Sequence, residues 1–135
     1  MAPSRAAGPS DLLLFEHWMA TTQWLLARTQ RFPANFRHTL SQRIDSLALG
    51  ILEDITTAAY QKQPERTLRT ANDRLNRLRV LLRLAHEMQL LSHDQHIEAA
   101  RQLAESGRLL GGWLRKGKRA GGEQVVADVA DDDAL

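Results

Sequence analysis

Between Glu65 and Arg83 the chain places six arginines, Arg66, Arg69, Arg74, Arg77, Arg79 and Arg83, against two acids, Glu65 and Asp73. The segment alone therefore carries +4. A guanidinium group offers a planar fork of donors that matches phosphate or carboxylate, and a row of them on one helix can follow a nucleic-acid backbone or an acidic protein face. Arg79 and Arg83 stand one turn apart, a like-charge spacing that disfavours an isolated helix by a few tenths of a kcal/mol. Something outside the pair has to offset that. The alternative use for the six is a solvated face of ion pairs within the fold's own helices. Arg108, Arg115, Lys116 and Lys118 form a second basic cluster, near a helix end where the backbone dipole already favours positive charge.

Other chemistry is poorly represented. His93 and His96 flank Asp94 and could share a metal ion, but no carboxylate–histidine pair on another helix completes a set of ligands, and both read as surface residues at a helix start. His17, His38 and His86 have no acid or nucleophile at motif spacing. No phosphate-binding glycine loop, hydrolase elbow or zinc pattern is present. Neither a catalytic set, a metal site nor a cofactor is expected. Trp18, Trp24 and Trp113 are read as core or interface anchors. Gly107, Gly111 and Gly112, each less favourable in a helix than alanine by about 1 kcal/mol, join Ala100 and Ala104 in a stripe of small residues that lets another helix approach, within the bundle or between subunits.

Four periodic segments carry these residues. The first opens after Gly8-Pro9-Ser10, with Ser10 as N-cap, and repeats Leu14, Trp18, Thr21, Leu25 and Thr29 before Pro33 restricts Phe32 away from helical geometry. The second spans about Asn35 to Gln61 with Phe36, Leu40, Ile44, Leu47, Ile51 and Ile55 at spacings of three and four. Pro64 suits the first position of a third, which repeats Leu68, Ala71, Leu75, Leu78, Leu82 and Ala85, widened by Leu81, Leu84, Met88 and Leu91. Ser92 and Gln95 form a capping box ahead of a fourth, carrying Ile97, Ala100, Leu103, Ala104, Gly107, Leu110, Gly111 and Leu114. Short breaks between long helices leave an all-α, antiparallel up-down-up-down four-helix bundle as the economical topology. The expected organisation is a disordered 1–10, a bundle over 11–116 and a flexible acidic tail over 117–135.

Composition agrees. The chain has 135 residues, 43% of them hydrophobic but only 5% aromatic, so its core must rely on Leu, Ile and Ala. No cysteine is present, which removes disulfides and thiolate chemistry and suits a reducing, cytoplasmic setting. No leader or membrane span is apparent in the hydropathy. The net charge of +2 conceals an asymmetry: all 18 Lys and Arg lie at or before Arg119, against eleven acids, so the body carries +7 and the remainder −5. Such a body attracts polyanions, and the acidic tail is placed to compete with them.

The segment from Arg31 through Ile44, containing the Phe32-Pro33 turn, then Ala71-Asn72 with its following leucines and arginines, then Ser106-Gly107-Arg108-Leu109-Leu110-Gly111-Gly112-Trp113-Leu114, resembles the accessory variability determinant (Avd) proteins of bacterial diversity-generating retroelements. These group with four-helix proteins encoded in intervening sequences of ribosomal RNA genes. The resemblance runs from about Leu12 to Leu114 and leaves out the acidic tail. It implies a non-enzymatic partner of the retroelement's reverse transcriptase, assembled as a homopentamer, whose basic surface engages the polymerase and its template RNA or cDNA during mutagenic retrohoming. The ten basic residues named above are the expected contacts. Two other readings stay open: an intervening-sequence relative that binds RNA without a polymerase, and a purely structural oligomerisation module.

Overall fold

Two prolines and two capping signals divide the chain. The computed structural model describes residues 9–122, with side chains described for 11–117. Its four helices are α1 (Pro9–Thr29), α2 (Gln42–Ala59), α3 (Glu65–Glu87) and α4 (His93–Gly122). No strand occurs among the described residues. Each helix packs against its sequence neighbour and α1 closes onto α4, which with the short connections gives the expected up-down-up-down bundle.

The α1 stripe read from the sequence is the one the structure buries: Leu14, Trp18, Thr21, Leu25 and Thr29 are all inaccessible. It meets Ile44, Ala48, Ile51 and Ile55 of α2, Leu68, Leu75, Leu78 and Leu82 of α3, and Ala99, Leu103, Leu110 and Trp113 of α4. Several buried polar groups find partners, whereas Thr22 Oγ1 has no hydrogen bond among the described residues. Trp18 Nε1 donates to the Ala48 carbonyl at 2.9 Å, tying α1 to α2, because an indole N–H buried without an acceptor is destabilising by about 1–3 kcal/mol. The Thr29 hydroxyl donates to Asp45 Oδ1 at 2.6 Å. Burial nevertheless pushes the Asp45 carboxyl above its ordinary value, with the Thr29 hydrogen bond acting against it. Ser106 Oγ and His17 Nδ1 lie 2.8 Å apart across the α1–α4 seam.

The α3–α4 corner is doubly specified. Gln89 adopts a left-handed φ of 64°, and behind it the Gln89 N–H donates to the His86 carbonyl and the Leu90 N–H to the Ala85 carbonyl, at 2.9 and 2.8 Å. That pairing closes a helix C-terminus and is more usually built on glycine. Ser92 then caps α4: its N–H donates to Gln95 Oε1 at 2.9 Å, and the Gln95 N–H donates to Ser92 Oγ at 3.1 Å, the reciprocal capping box expected from the sequence.

Several expectations are corrected. Helix α1 starts at Pro9, so Ser10 is inside it and Asp11 occupies its first turn. It ends at Thr29, and the chain reaches Pro33 through turns with the Phe32 ring buried. What reads as the start of one long second helix is a 3₁₀ turn, Ala34–Phe36, followed by a π-helical turn, Arg37–Ser41, before α2 proper. Pro64 caps α3 from outside, its carbonyl accepting from the Leu68 N–H. Leu84 and Met88 are exposed instead of widening the core, and so are Ile97, Ala100 and Ala104 of α4; the inward side of α4 belongs to Ala99, Leu103, Ser106, Leu110 and Trp113. Finally, α4 runs six residues past the expected boundary at Lys116. Its Gly117 lets Glu65 of α3 come close: a Cβ there would meet Glu65 Oε1 at 2.8 Å. The expected disorder of 1–8 and 123–135 concerns residues outside those described.

Candidate functional site

The six arginines of α3 separate into different roles once their surroundings are known. Arg74 turns toward α2, lies against Gly50 and pairs with Asp54. This is an internal tie, made possible because Gly50 presents no side chain where the arginine stem crosses α2. Arg83 pairs with Glu87 one turn on at 2.7 Å, with both side chains largely exposed, a contact of only about 0.3–0.5 kcal/mol in water. Arg79 donates to the neutral Asn76 Oδ1 at 2.7 Å, keeping its charge uncompensated. Arg69 is half-buried. Arg66 and Arg77 are exposed and meet no carboxylate among the described residues.

The second cluster divides in the same way. Arg108 pairs with Glu105 at 2.6 Å on the surface of α4. Lys116 reaches the α1 start and binds Asp11 at 2.9 Å; the carboxylate is buried to 1% while the lysine stays half exposed. Arg115 is exposed, with Nη1 lying back toward Gly111. Lys118 lies within α4, but its side chain is outside the described residues. Further along the same helix, Arg101 and Gln102 both donate to Glu98 and hold its carboxyl down at about 2. The structure thus gives Arg74, Arg83, Arg108 and Lys116 carboxylate partners of their own, and leaves Arg66, Arg77, Arg79 and Arg115 as solvent-facing cations.

Arg77 also borders a groove of about 740 Å³ between α3 and the start of α2. Arg43, Arg74 and His38 add to its positive side, and Leu47, Val80 and Leu81 form an apolar wall. No aspartate or glutamate among the described residues lines it. The π-helical turn contributes His38, and π-turns recur where a chain is shaped for contact. Sequence reasoning singled out Arg74 and Arg77 but missed Arg43 and passed over His38. Only the hydrophobic repeat of α2 could have hinted at them, since His38, Gln42 and Ser46 recur at four-residue spacing on one outward ridge.

The remaining histidines gather at the α3–α4 corner. His86 stacks on His96 with ring centres 4.7 Å apart and 19° between planes, and approaches His93 at 5.9 Å. His86 Nδ1 is 3.2 Å from the Leu91 carbonyl and donates to it. Burial lowers the His96 imidazole pKa, and the neighbouring charges of His86, His93 and Arg83 lower it further against the pull of Glu87. His93 is on the surface as expected, whereas His96 is drawn partly under the His86 ring. Among the described residues no group of three or more His, Cys, Asp or Glu is placed to hold a metal ion, and no helix is long and apolar enough to cross a membrane.

Comparison with known proteins adds one match. A family model described as bAvd-like covers residues 12–117. No curated protein matches the chain.

Proposed function

Because that match spans most of the chain, the protein belongs to the bAvd-like family, and we propose that it is a non-catalytic accessory subunit of a diversity-generating retroelement reverse transcriptase. It binds the polymerase and its template RNA or cDNA through solvent-facing arginines, in the cytoplasm, as a homo-oligomer for which the pentamer is the family expectation. The observation that carries this reading is the pair Arg66 and Arg77, exposed on α3 with no carboxylate partner among the described residues. Exposed guanidinium groups without such a partner are available to an external anion. Arg79 and Arg115 extend the same chemistry.

The supporting physics is counterion release. Each phosphate neutralised by a guanidinium frees condensed cations, so affinity for RNA falls steeply with salt. The test is whether a reverse transcriptase gene lies beside this one and its product co-purifies with this protein, followed by cDNA synthesis with and without this protein, alongside RNA binding at two salt concentrations. Arg66→Ala with Arg77→Ala is expected to weaken RNA or polymerase binding while leaving helicity intact. Unchanged cDNA synthesis without the protein, together with undetectable RNA and polymerase binding, would remove the reading.

A further inference from the structure

We infer that the α2–α3 groove seats one unstacked nucleotide of a single-stranded nucleic acid, its phosphate held by Arg43 and Arg77 and its base laid on Leu47, Val80 and Leu81. The inference rests on the nucleic-acid reading above and sharpens it to one site and one strand state.

The groove is built from two facing ridges. On one side His38, Gln42, Arg43, Ser46 and Leu47 follow one another at helical spacing; on the other stand Arg74, Arg77, Val80 and Leu81. Its volume of about 740 Å³ is in the range that encloses a small organic ligand, about 300–1,000 Å³. Arg43 and Arg77 are exposed, and neither has a carboxylate partner among the described residues. Arg74 is held by Asp54, so it forms a fixed wall and leaves the other two guanidinium groups to take an anion.

Charge alone fits any anion. The apolar wall narrows the choice. Val80 is 65% exposed on the groove's rim, and the bundle core gives no reason for a β-branched residue there. Leu47 and Leu81 are half-buried behind it. A ligand that satisfies both sides carries a phosphate and a flat apolar ring together, and Gln42 and Ser46 supply donors and acceptors for the polar edge of that ring. In a duplex the bases are stacked and paired, so only phosphates would reach the groove. In a single strand the base is free to leave its stack.

An acidic peptide is the competing occupant. An extended peptide would have to satisfy a whole row of N–H and C=O groups from side chains alone, Gln42, Ser46 and the arginines among them, because the backbone groups of both helical walls are bonded internally. A helical peptide needs a longer apolar stripe than three side chains provide.

The test uses the full-length protein and fluorescence anisotropy, with a labelled twelve-nucleotide single-stranded RNA and a duplex of the same sequence as probes. Adenosine monophosphate serves as a single-nucleotide competitor for the seat. Arg43→Ala and Arg77→Ala are each expected to weaken single-strand binding about tenfold and to reduce the salt slope by about one contact. Val80→Asn, at an exposed position that folding tolerates, should weaken the single strand about threefold and leave the duplex unchanged, with circular dichroism confirming intact helices. Wild-type protein that binds both probes equally, or variants that bind the single strand as wild type does, would overturn the nucleotide seat while leaving RNA binding in place. Loss of reverse transcriptase binding in Arg43→Ala and Arg77→Ala with RNA affinity unchanged would reassign the groove to a protein partner and overturn it as well. Absence of any RNA binding at low salt would defeat this inference together with the reading it rests on. Displacement of the strand by millimolar adenosine monophosphate, or a thiouridine crosslink to the peptide containing Val80, supports it.

Discussion

Replacing Gly50 with alanine isolates the contact that takes Arg74 out of the solvent-facing set. In a helix interior this change normally stabilises by about 1 kcal/mol. Here the added Cβ would stand 3.1 Å from Arg74 Nε, 3.2 Å from its Cδ and 3.4 Å from its Cζ. Those atoms belong to the middle of a side chain whose far end is pinned to Asp54, with Arg74 35% and Asp54 15% exposed. The arginine can yield only by loosening its grip on the carboxylate. A hydrogen bond between charged groups contributes about 1.5–3 kcal/mol, and screening at this partly exposed site brings it to about 2 kcal/mol. Set against the gain in helix propensity, the net expectation is a loss of about 1 kcal/mol, or a fall in Tm of about 4 °C. Gly107→Ala provides the opposite case, because its Cβ would meet the exposed tip of Arg79, Nη2, at 2.8 Å and Leu75 at an ordinary 3.5 Å. The exposed guanidinium can swing aside, so this variant should gain up to about 1 kcal/mol. Urea and thermal unfolding followed by circular dichroism read both, and Arg74→Ala completes the cycle by turning Gly50→Ala stabilising. A Gly50→Ala protein more stable than wild type, or one equally impaired when Arg74 is absent, would refute the reasoning.

Lys116→Met removes one cation from the nearly inaccessible Asp11 carboxylate. Breaking a buried pair is destabilising by about 3–5 kcal/mol, but the half-exposed lysine and the favourable position of Asp11 in the first turn of α1 reduce the expected loss to about 1–2 kcal/mol; an unchanged midpoint in thermal unfolding would show that the α1–α4 tie is not energetically significant. On acidification two groups should weaken the fold in sequence. The His96 pKa is depressed in the folded state, so its contribution is present above 6.5 and lost as pH falls below that value. Glu98, held at about 2, contributes above its ordinary 4.5 and loses that contribution as pH falls from there toward 2. NMR titration of His96 at or above 6.5, or an acid unfolding profile that Glu98→Gln leaves unaltered below pH 4.5, would contradict this order.

The parts of this architecture legible in the sequence are those set by near neighbours. Leu14, Trp18 and Leu25 announce their buried side by spacing, and Ser92 with Gln95 announces a helix start, because both signals act within a few residues. The π-helical turn at Arg37–Ser41 was not legible: Phe36, Leu40 and Ile44 keep a regular four-residue spacing, although the backbone beneath them is wider than an α-helix. Ile97, Ala100 and Ala104 satisfied the same periodicity as Leu103 and Leu110 yet face solvent, and at Ala100 and Ala104 the small side chains leave the inward side of the helix ambiguous. Counting arginines found the basic helix and could not sort it. Arg74 and Asp54 are 20 residues apart in the chain, and whether a guanidinium is taken by such a partner or left like Arg77 depends on how α2 and α3 cross. Arg43 was missed for the same reason, as only the tertiary arrangement sets it across a groove from Arg77. The expected boundary at 116 stops just short of Gly117, which serves the close approach of Glu65.

The tightly specified corner at Gln89–Ser92 bears on how the chain comes together in time. Loop-closure entropy rises with the length of chain enclosed, so the α2–α3 and α3–α4 hairpins, each joined by five residues, close with the smallest penalty. The seam between α1 and α4 is the other extreme: its ties join positions 89 and 105 residues apart. During synthesis from the N-terminus, α1 emerges first and gains α2 as a partner early, through Trp18 and Ala48. Half of its apolar stripe then stays uncovered until nearly all of the bundle has been made, and this interval is when the protein is most open to aggregation or to a chaperone.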